Sequence, residues 1–121
     1  MKFDETRPIY IQIMENLKSK IARGELKPGD KLPSVRELSG KIGVNPNTIA
    51  RAYSELEREG VIMTRRGQGT YVTDDPRKVT EIREEMAASA LSTFLESLRA
   101  LGLSRDEILS LIAKKLEEDE R

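Results

Sequence analysis

At 121 residues, 37% hydrophobic and 35% charged, the chain has room for one small domain and an appendage but not for two sizeable independent cores, which excludes large enzymatic architectures. The absence of Cys and His removes disulfides, thiol nucleophiles, imidazole bases and nearly every transition-metal site, so no catalytic residue, metal or cofactor is expected. The net charge of zero combines 13 Lys/Arg against 11 Asp/Glu in residues 1–75 with 8 against 10 in residues 76–121, a balance too even to announce a nucleic-acid partner by itself.

In chain order, Pro8 to Arg23 reads as a first helix, with Ile9, Ile13, Leu17 and Ile21 near a 3.6-residue period and Gly24 closing it. Lys27-Pro28-Gly29-Asp30 places Pro and Gly at the central positions of a type II turn, before a short extended Lys31-Leu32. Ser34-Val35-Arg36-Glu37 is a capping box that opens a second helix, with Val35, Leu38 and Ile42 inward and Gly43 at its end. Asn45-Pro46 supplies an N-cap and an N1 proline, so a third helix is expected from Pro46 to about Glu59, burying Ile49, Ala52, Tyr53 and Leu56.

After Gly60, the runs Val61–Thr64 and Thr70–Thr73 predict a β-hairpin around a basic, Gly-rich tip, Arg65-Arg66-Gly67-Gln68-Gly69. Asp74-Asp75-Pro76 interrupts the periodicity and is expected to be a linker. The division is therefore a domain over 1–75 and a tail over 76–121. Within the tail, Lys78 to Leu101 carries a long apolar stripe that includes Val79, Ile82, Met86, Leu91, Phe94 and Leu98. Gly102 breaks it, and a second capping box, Ser104-Arg105-Asp106-Glu107, opens a last helix with Ile108, Leu109, Leu111, Ile112 and Leu116 on its apolar face. The fold class is mostly α: a winged helix-turn-helix with a small β-hairpin wing, followed by a two-helix tail.

In such an order the helix after the turn can enter the major groove and offer its N-terminal side chains to base edges. Its expected outer face gathers Asn47, Thr48, Arg51, Ser54, Glu55 and Arg58, while Arg36 stands in the first turn of the preceding helix. From Lys31 to Gly69 there are seven Lys/Arg against four Asp/Glu, so the charge is local. Each part has a plainer reading: Ser34 and Asn45 are caps, the Arg-Arg-Gly tip is a soluble turn, and Arg51 or Arg58 pairs with Glu55 or Glu59. Their ordered combination is what points to DNA.

Residues Pro8 to Val72 resemble the DNA-binding domain of the GntR family through "PIYIQI", "GELKPGDKLPSVREL", "GVNPNTIARAYSELEREGVI" and "RRGQGTYV". The "NPNT…RAY.ELE" form with a short tail is similar to the YtrA subfamily in particular. The resemblance implies a homodimeric bacterial repressor of transcription, binding a palindromic operator and controlling its own and neighbouring, often transporter, genes. It implies DNA contacts at Ser34, Arg36, Asn45, Asn47, Thr48, Arg51, Arg66, Gly67 and Gln68. Several relatives carry Arg at the positions of Pro46 and Ala50, and those base contacts do not transfer. Gly40, inside the second helix, has no account in the sequence.

Broad apolar stripes on both tail helices cannot be hidden in a two-helix hairpin, so a second copy is the expected partner. Ile82, Met86, Leu91, Phe94, Leu98, Ile108, Leu111 and Ile112 are the expected dimerisation residues, and twofold symmetry would set two recognition helices roughly 34 Å apart. Phe94 and Met86 could line a pocket for an unidentified small-molecule effector between the tail helices, although apolar residues at helical spacing are far more often core. No apolar run approaches the roughly 18 residues of a bilayer span and Met1 to Lys20 lacks a signal-peptide layout, so no membrane is expected and the location is cytoplasmic, on the nucleoid when bound to DNA. The rival reading is a winged-helix protein-interaction module. An enzyme is disfavoured, because acid pairs such as Glu84-Glu85 point in different directions on solvated helix faces.

Overall fold

A computed structural model of the chain describes residues 2–120. Five helices and three short strands follow in the order α1 (Ile9–Ala22), β1 (Lys31–Leu32), α2 (Val35–Ile42), α3 (Pro46–Arg58), β2 (Ile62–Arg65), β3 (Gly69–Val72), α4 (Pro76–Ala100) and α5 (Arg105–Asp119). The chain forms two compact units that meet between Glu85 and Met86, a point inside α4. The architecture is the winged helix-turn-helix with a two-helix tail that the order of signals predicts.

The local stops and starts arise from short-range hydrogen bonds. In α2 the Ser34 hydroxyl accepts from the Glu37 amide at 3.1 Å, and the Glu37 carboxylate accepts from the Ser34 amide at 3.3 Å. Gly43 ends that helix at φ +69°, a left-handed conformation that costs glycine nothing. The Ser39 hydroxyl then donates to the Val44 carbonyl at 2.6 Å, tying α2 to the turn. Two residues after Gly43, the Asn45 side chain accepts from the Asn47 amide at 2.8 Å, with Pro46 as the first helical residue. Between α1 and β1, the Asp30 amide closes the Lys27–Asp30 turn on the Lys27 carbonyl at 3.0 Å, and Gly29 takes φ +84°. The Asp74–Pro76 stretch, expected as a linker, starts α4 instead. Asp75 accepts from the Arg77 amide at 3.0 Å, and this bond with the Arg77 side chain holds its carboxyl below the ordinary Asp range. In the second unit, Ser104 and Glu107 form the expected capping box of α5, and those bonds likewise lower the Glu107 carboxyl.

The first unit is built around α3. Ile49, Ala52 and Leu56 are fully covered, and Tyr53 nearly so. They meet Ile13, Leu17 and Ile21 of α1, the helix that packs most closely on α3. Leu32, Val44, Val61, Ile62 and Val72 complete the apolar interior. Burying side chains of this size contributes about 1.5–3 kcal/mol each. Ile9 departs from the expected α1 stripe: it stands exposed in the first turn. Val35, Leu38 and Ile42 of α2 are only half-buried, and an apolar cleft of about 430 Å³ remains between α2, α1 and β1. Gly40 is exposed on α2, where a Cβ would meet nothing within 4 Å.

The sheet is antiparallel with strand order β1-β3-β2. The hairpin register pairs Ile62 with Val72 and Arg65 with Gly69, and Lys31-Leu32 pairs with Tyr71-Thr70 on the other edge of β3. The short extended segment after the turn thus becomes a third strand, which stiffens the base of the hairpin.

Tyr53 links the two helices of the turn to this sheet. Its hydroxyl donates to the Pro33 carbonyl at 2.7 Å, directly after β1 and just before the α2 cap. Burial, with a smaller contribution from the Glu37 carboxylate, pushes its ionisation up to about 12 from an ordinary value of 10. A phenol whose folded pKa is raised favours the folded state fully below the unfolded pKa and loses that contribution as pH rises through the folded value. Stability is therefore expected to fall between pH 10 and about 12, and Tyr53→Phe should flatten that slope in denaturant titrations followed by circular dichroism.

Candidate nucleic-acid interface

Three elements of the first unit carry the polar side chains singled out by the sequence. The burial of Ile49, Ala52, Tyr53 and Leu56 fixes the rotation of α3, leaving Asn47 and Arg51 exposed and Thr48 half-buried on the outward side. Asn45 caps the helix at the same end, where the free amides and the positive end of the helix dipole favour an anion. Arg36 is exposed in the first turn of α2, next to the Ser34 cap. Among the described residues neither Arg36 nor Arg66 has an acidic partner. Charged groups left uncompensated in this way keep their full capacity for phosphate or base edges.

The hairpin supplies the third part. Arg66, Gly67 and Gln68 form its tip, closed by the Gln68 amide on the Arg65 carbonyl at 2.9 Å. Gly67 has φ +75°, so a side chain there would strain the turn. Tyr71 braces the tip from below: its hydroxyl donates to the Gln68 carbonyl at 3.3 Å, and the Arg65 guanidinium lies 4.8 Å from the centre of its ring.

The arginines of α3 separate into two kinds. Arg58 donates to the Glu55 carboxylate at 2.7 Å, and Glu59 accepts from Lys18 of α1 at 2.6 Å. Those two acids are therefore occupied, and Arg58 belongs to a surface ion pair. Arg51 turns instead to α1. Its guanidinium carbon lies 3.9 Å from the centre of the Tyr10 ring, and its Nη2 donates to the Tyr10 hydroxyl at 3.3 Å. Tyr10 lies within the PIYIQI run, but it sits one residue off the apolar stripe of α1, and spacing alone gives it no tie to α3. The pairing of its ring with a residue 41 positions later has no local signal.

In the second unit the expected dimerisation residues divide by burial. Ile108 is 5% exposed and is covered within the chain; Ile82, which falls in the first unit, is 3% exposed. Both are interior residues of a single chain, which takes them out of the surface available to a second copy. Met86, Leu98 and Ile112 are half-buried. Leu91, Phe94 and Leu111 are 52%, 44% and 47% exposed, and Leu101, Leu109 and Leu116 are exposed with them. Two open apolar crevices run between α4 and α5, one of about 380 Å³ bordered by Phe94, Leu98, Leu111 and Leu116, the other of about 400 Å³ bordered by Leu91, Leu95, Ile108 and Leu109. Phe94 borders the first crevice, and Met86 borders neither. Among the described residues no group of His, Cys, Asp and Glu is placed to hold a metal ion, and no helix is long and apolar enough to cross a membrane.

The profile described as "Bacterial regulatory proteins, gntR family" matches residues 9–72. The chain is 44% identical over 108 residues to the HTH-type transcriptional regulator YhcF of Bacillus subtilis, covering 89% of each. It is 51% identical over 85 residues to the HTH-type transcriptional repressor YtrA of the same organism, covering 65% of each. Among solved structures, a GntR family transcriptional regulator from Listeria monocytogenes superposes with a TM-score of 0.86 at 40% identity, over 93% of this chain and 98% of that one. The likeness therefore extends through the tail.

Proposed function

The chain belongs to the GntR family of bacterial regulatory proteins, as a YtrA-like DNA-binding transcriptional regulator rather than an enzyme, and we propose that it works as a homodimeric repressor on a palindromic operator. The observation that carries this reading is the outward face of α3, with Asn47, Thr48 and Arg51 directed away from a fully buried Ile49, Ala52 and Leu56. Amide, hydroxyl and guanidinium groups at the start of a helix are the chemistry that distinguishes base edges in the major groove. Arg36 reaches a phosphate or a guanine edge beside the Ser34 cap, and Asn45 holds the α3 terminus against a phosphate. The wing tip, Arg66, Gly67 and Gln68, follows the backbone or the neighbouring minor groove.

Dimerisation falls to the second unit. Leu91, Phe94 and Leu111 are left about half exposed on the two tail helices, and a second copy covers them together with Met86, Leu98 and Ile112. The crevice bordered by Phe94 has room for a small-molecule effector. Repression follows from occupancy of an operator that overlaps a promoter, by analogy with the transcriptional repressor YtrA. The regulated genes proposed are its own and neighbouring ones, often for transporters, with action in the cytoplasm on the nucleoid.

Selection of bound duplexes from a random pool tests the proposal. The expected product is a palindrome with half-sites spaced by about one helical turn, whose affinity falls steeply as salt rises because several phosphate contacts release counterions. Recovery of sequences without twofold symmetry would reject the palindromic operator, and a flat salt response would favour a protein-interaction module instead.

A further inference from the structure

Arg51 is an exposed arginine on a helix, where the ordinary outcome is an ion pair with an acid one turn away. Glu55 stands four residues on, yet its carboxylate is held by Arg58 at 2.7 Å. The Arg51 guanidinium lies instead over the Tyr10 ring at 3.9 Å, with one N–H on the Tyr10 hydroxyl at 3.3 Å. The difference matters chemically. A carboxylate would neutralise the guanidinium and compete with DNA for its N–H groups, whereas an aromatic face leaves the charge uncompensated and most of the planar fork of donors free.

We propose that Tyr10 is a positioning residue for Arg51, holding its guanidinium in the free protein in the setting from which it reads the operator. Tyr10 suits that role because α1 is fixed against α3 through Ile13, Leu17 and Ile21, and because its own ring is half-buried. An arginine loses much rotamer freedom when it docks, and a side chain already held by a ring loses less. The wing repeats the arrangement, with Arg65 over Tyr71 at 4.8 Å. Two of the three tyrosines in the chain therefore carry an arginine, while the third, Tyr53, is the buried strut to Pro33.

The inference rests on the assignment of Arg51 as an operator contact, and a double-mutant cycle on the selected operator duplex separates the two. Tyr10→Leu is expected to weaken binding about two- to fivefold in the wild-type background, whereas Tyr10→Phe, which keeps the ring, stays within about twofold. In an Arg51→Ala background Tyr10→Leu should cost nothing further. In the free protein, the ring current should shift the Arg51 Cδ protons upfield, and Tyr10→Leu should return them to ordinary values in a spectrum that also reports the fold. Arg51 Cδ protons at ordinary shifts in the wild-type protein, an equal Tyr10→Leu loss in both backgrounds, or tighter binding by Tyr10→Leu would each overturn the proposal while leaving Arg51 as a contact. Unchanged affinity on Arg51→Ala would instead overturn the contact assignment, and the role of Tyr10 with it.

Discussion

Arg51→Ala is expected to weaken binding to the selected operator by about 1–3 kcal/mol, roughly five- to 150-fold, and to relax the preference at one base pair in each half-site. The size follows from what surrounds the residue. Pro46 has no side-chain donor and Ala50 contributes none, so the major-groove chemistry proposed for α3 rests on Asn47, Thr48 and Arg51, of which only Arg51 is cationic. Its guanidinium is not spent on Glu55, and the Tyr10 seat leaves it directed outward from the helix. Arg36→Ala separates a second case. If the Arg36 guanidinium meets a phosphate, the loss should be similar on all duplexes and should lower the salt slope by about one; if it meets a guanine edge, the loss should fall on particular sequences. Competition assays against single-base variants of the operator at several salt concentrations distinguish these outcomes, and unchanged affinity for both Arg36→Ala and Arg51→Ala would remove the helix-turn-helix from the DNA interface.

Phe94→Glu combined with Leu111→Glu should convert the protein to a monomer at micromolar concentration and reduce operator affinity more than about a hundredfold, because a carboxylate buried without a partner costs several kcal/mol and each copy then binds only a half-site. Both side chains are about half exposed in the single chain and both border the 380 Å³ crevice between α4 and α5. The substitutions therefore burden the dimer more than the fold of the monomer. Sedimentation equilibrium measures the association, and circular dichroism checks that the helices persist. Arg36→Ala serves as the counterpart: it should lose operator binding while sedimenting as a dimer. A Phe94→Glu, Leu111→Glu protein that remains dimeric would move the interface away from the tail.

Much of the fold was legible because its punctuation is local. The capping boxes at Ser34–Glu37 and Ser104–Glu107, the Asn45-Pro46 start, the Gly43 stop and the Lys27–Asp30 turn each depend on atoms within four residues of one another. A sequence read in short windows contains everything needed to place them. The candidate contacts were legible for a related reason: once Ile49, Ala52, Tyr53 and Leu56 are assigned to the interior, the 3.6-residue period alone puts Asn47 and Arg51 outside.

Other features were decided by elements that meet across long stretches of chain. Lys31-Leu32 became an edge strand because β3, some 40 residues later, offered it a register. Ile9 has the right spacing for the α1 stripe but is 40% exposed, whereas Ile82, assigned by its stripe to a dimer surface, is covered within one chain. The alternatives for Arg51 and Arg58 were equivalent by spacing, and the structure resolved them differently, one to Glu55 and one to Tyr10. The sequence by itself determined where helices begin and end and which face of α3 looks outward, since backbone hydrogen bonding and periodicity are local. Tertiary structure alone decided which side chains hold the arginines and which apolar residues remain exposed, because a long flexible side chain and a partly covered stripe take their setting from whatever neighbour packing brings beside them.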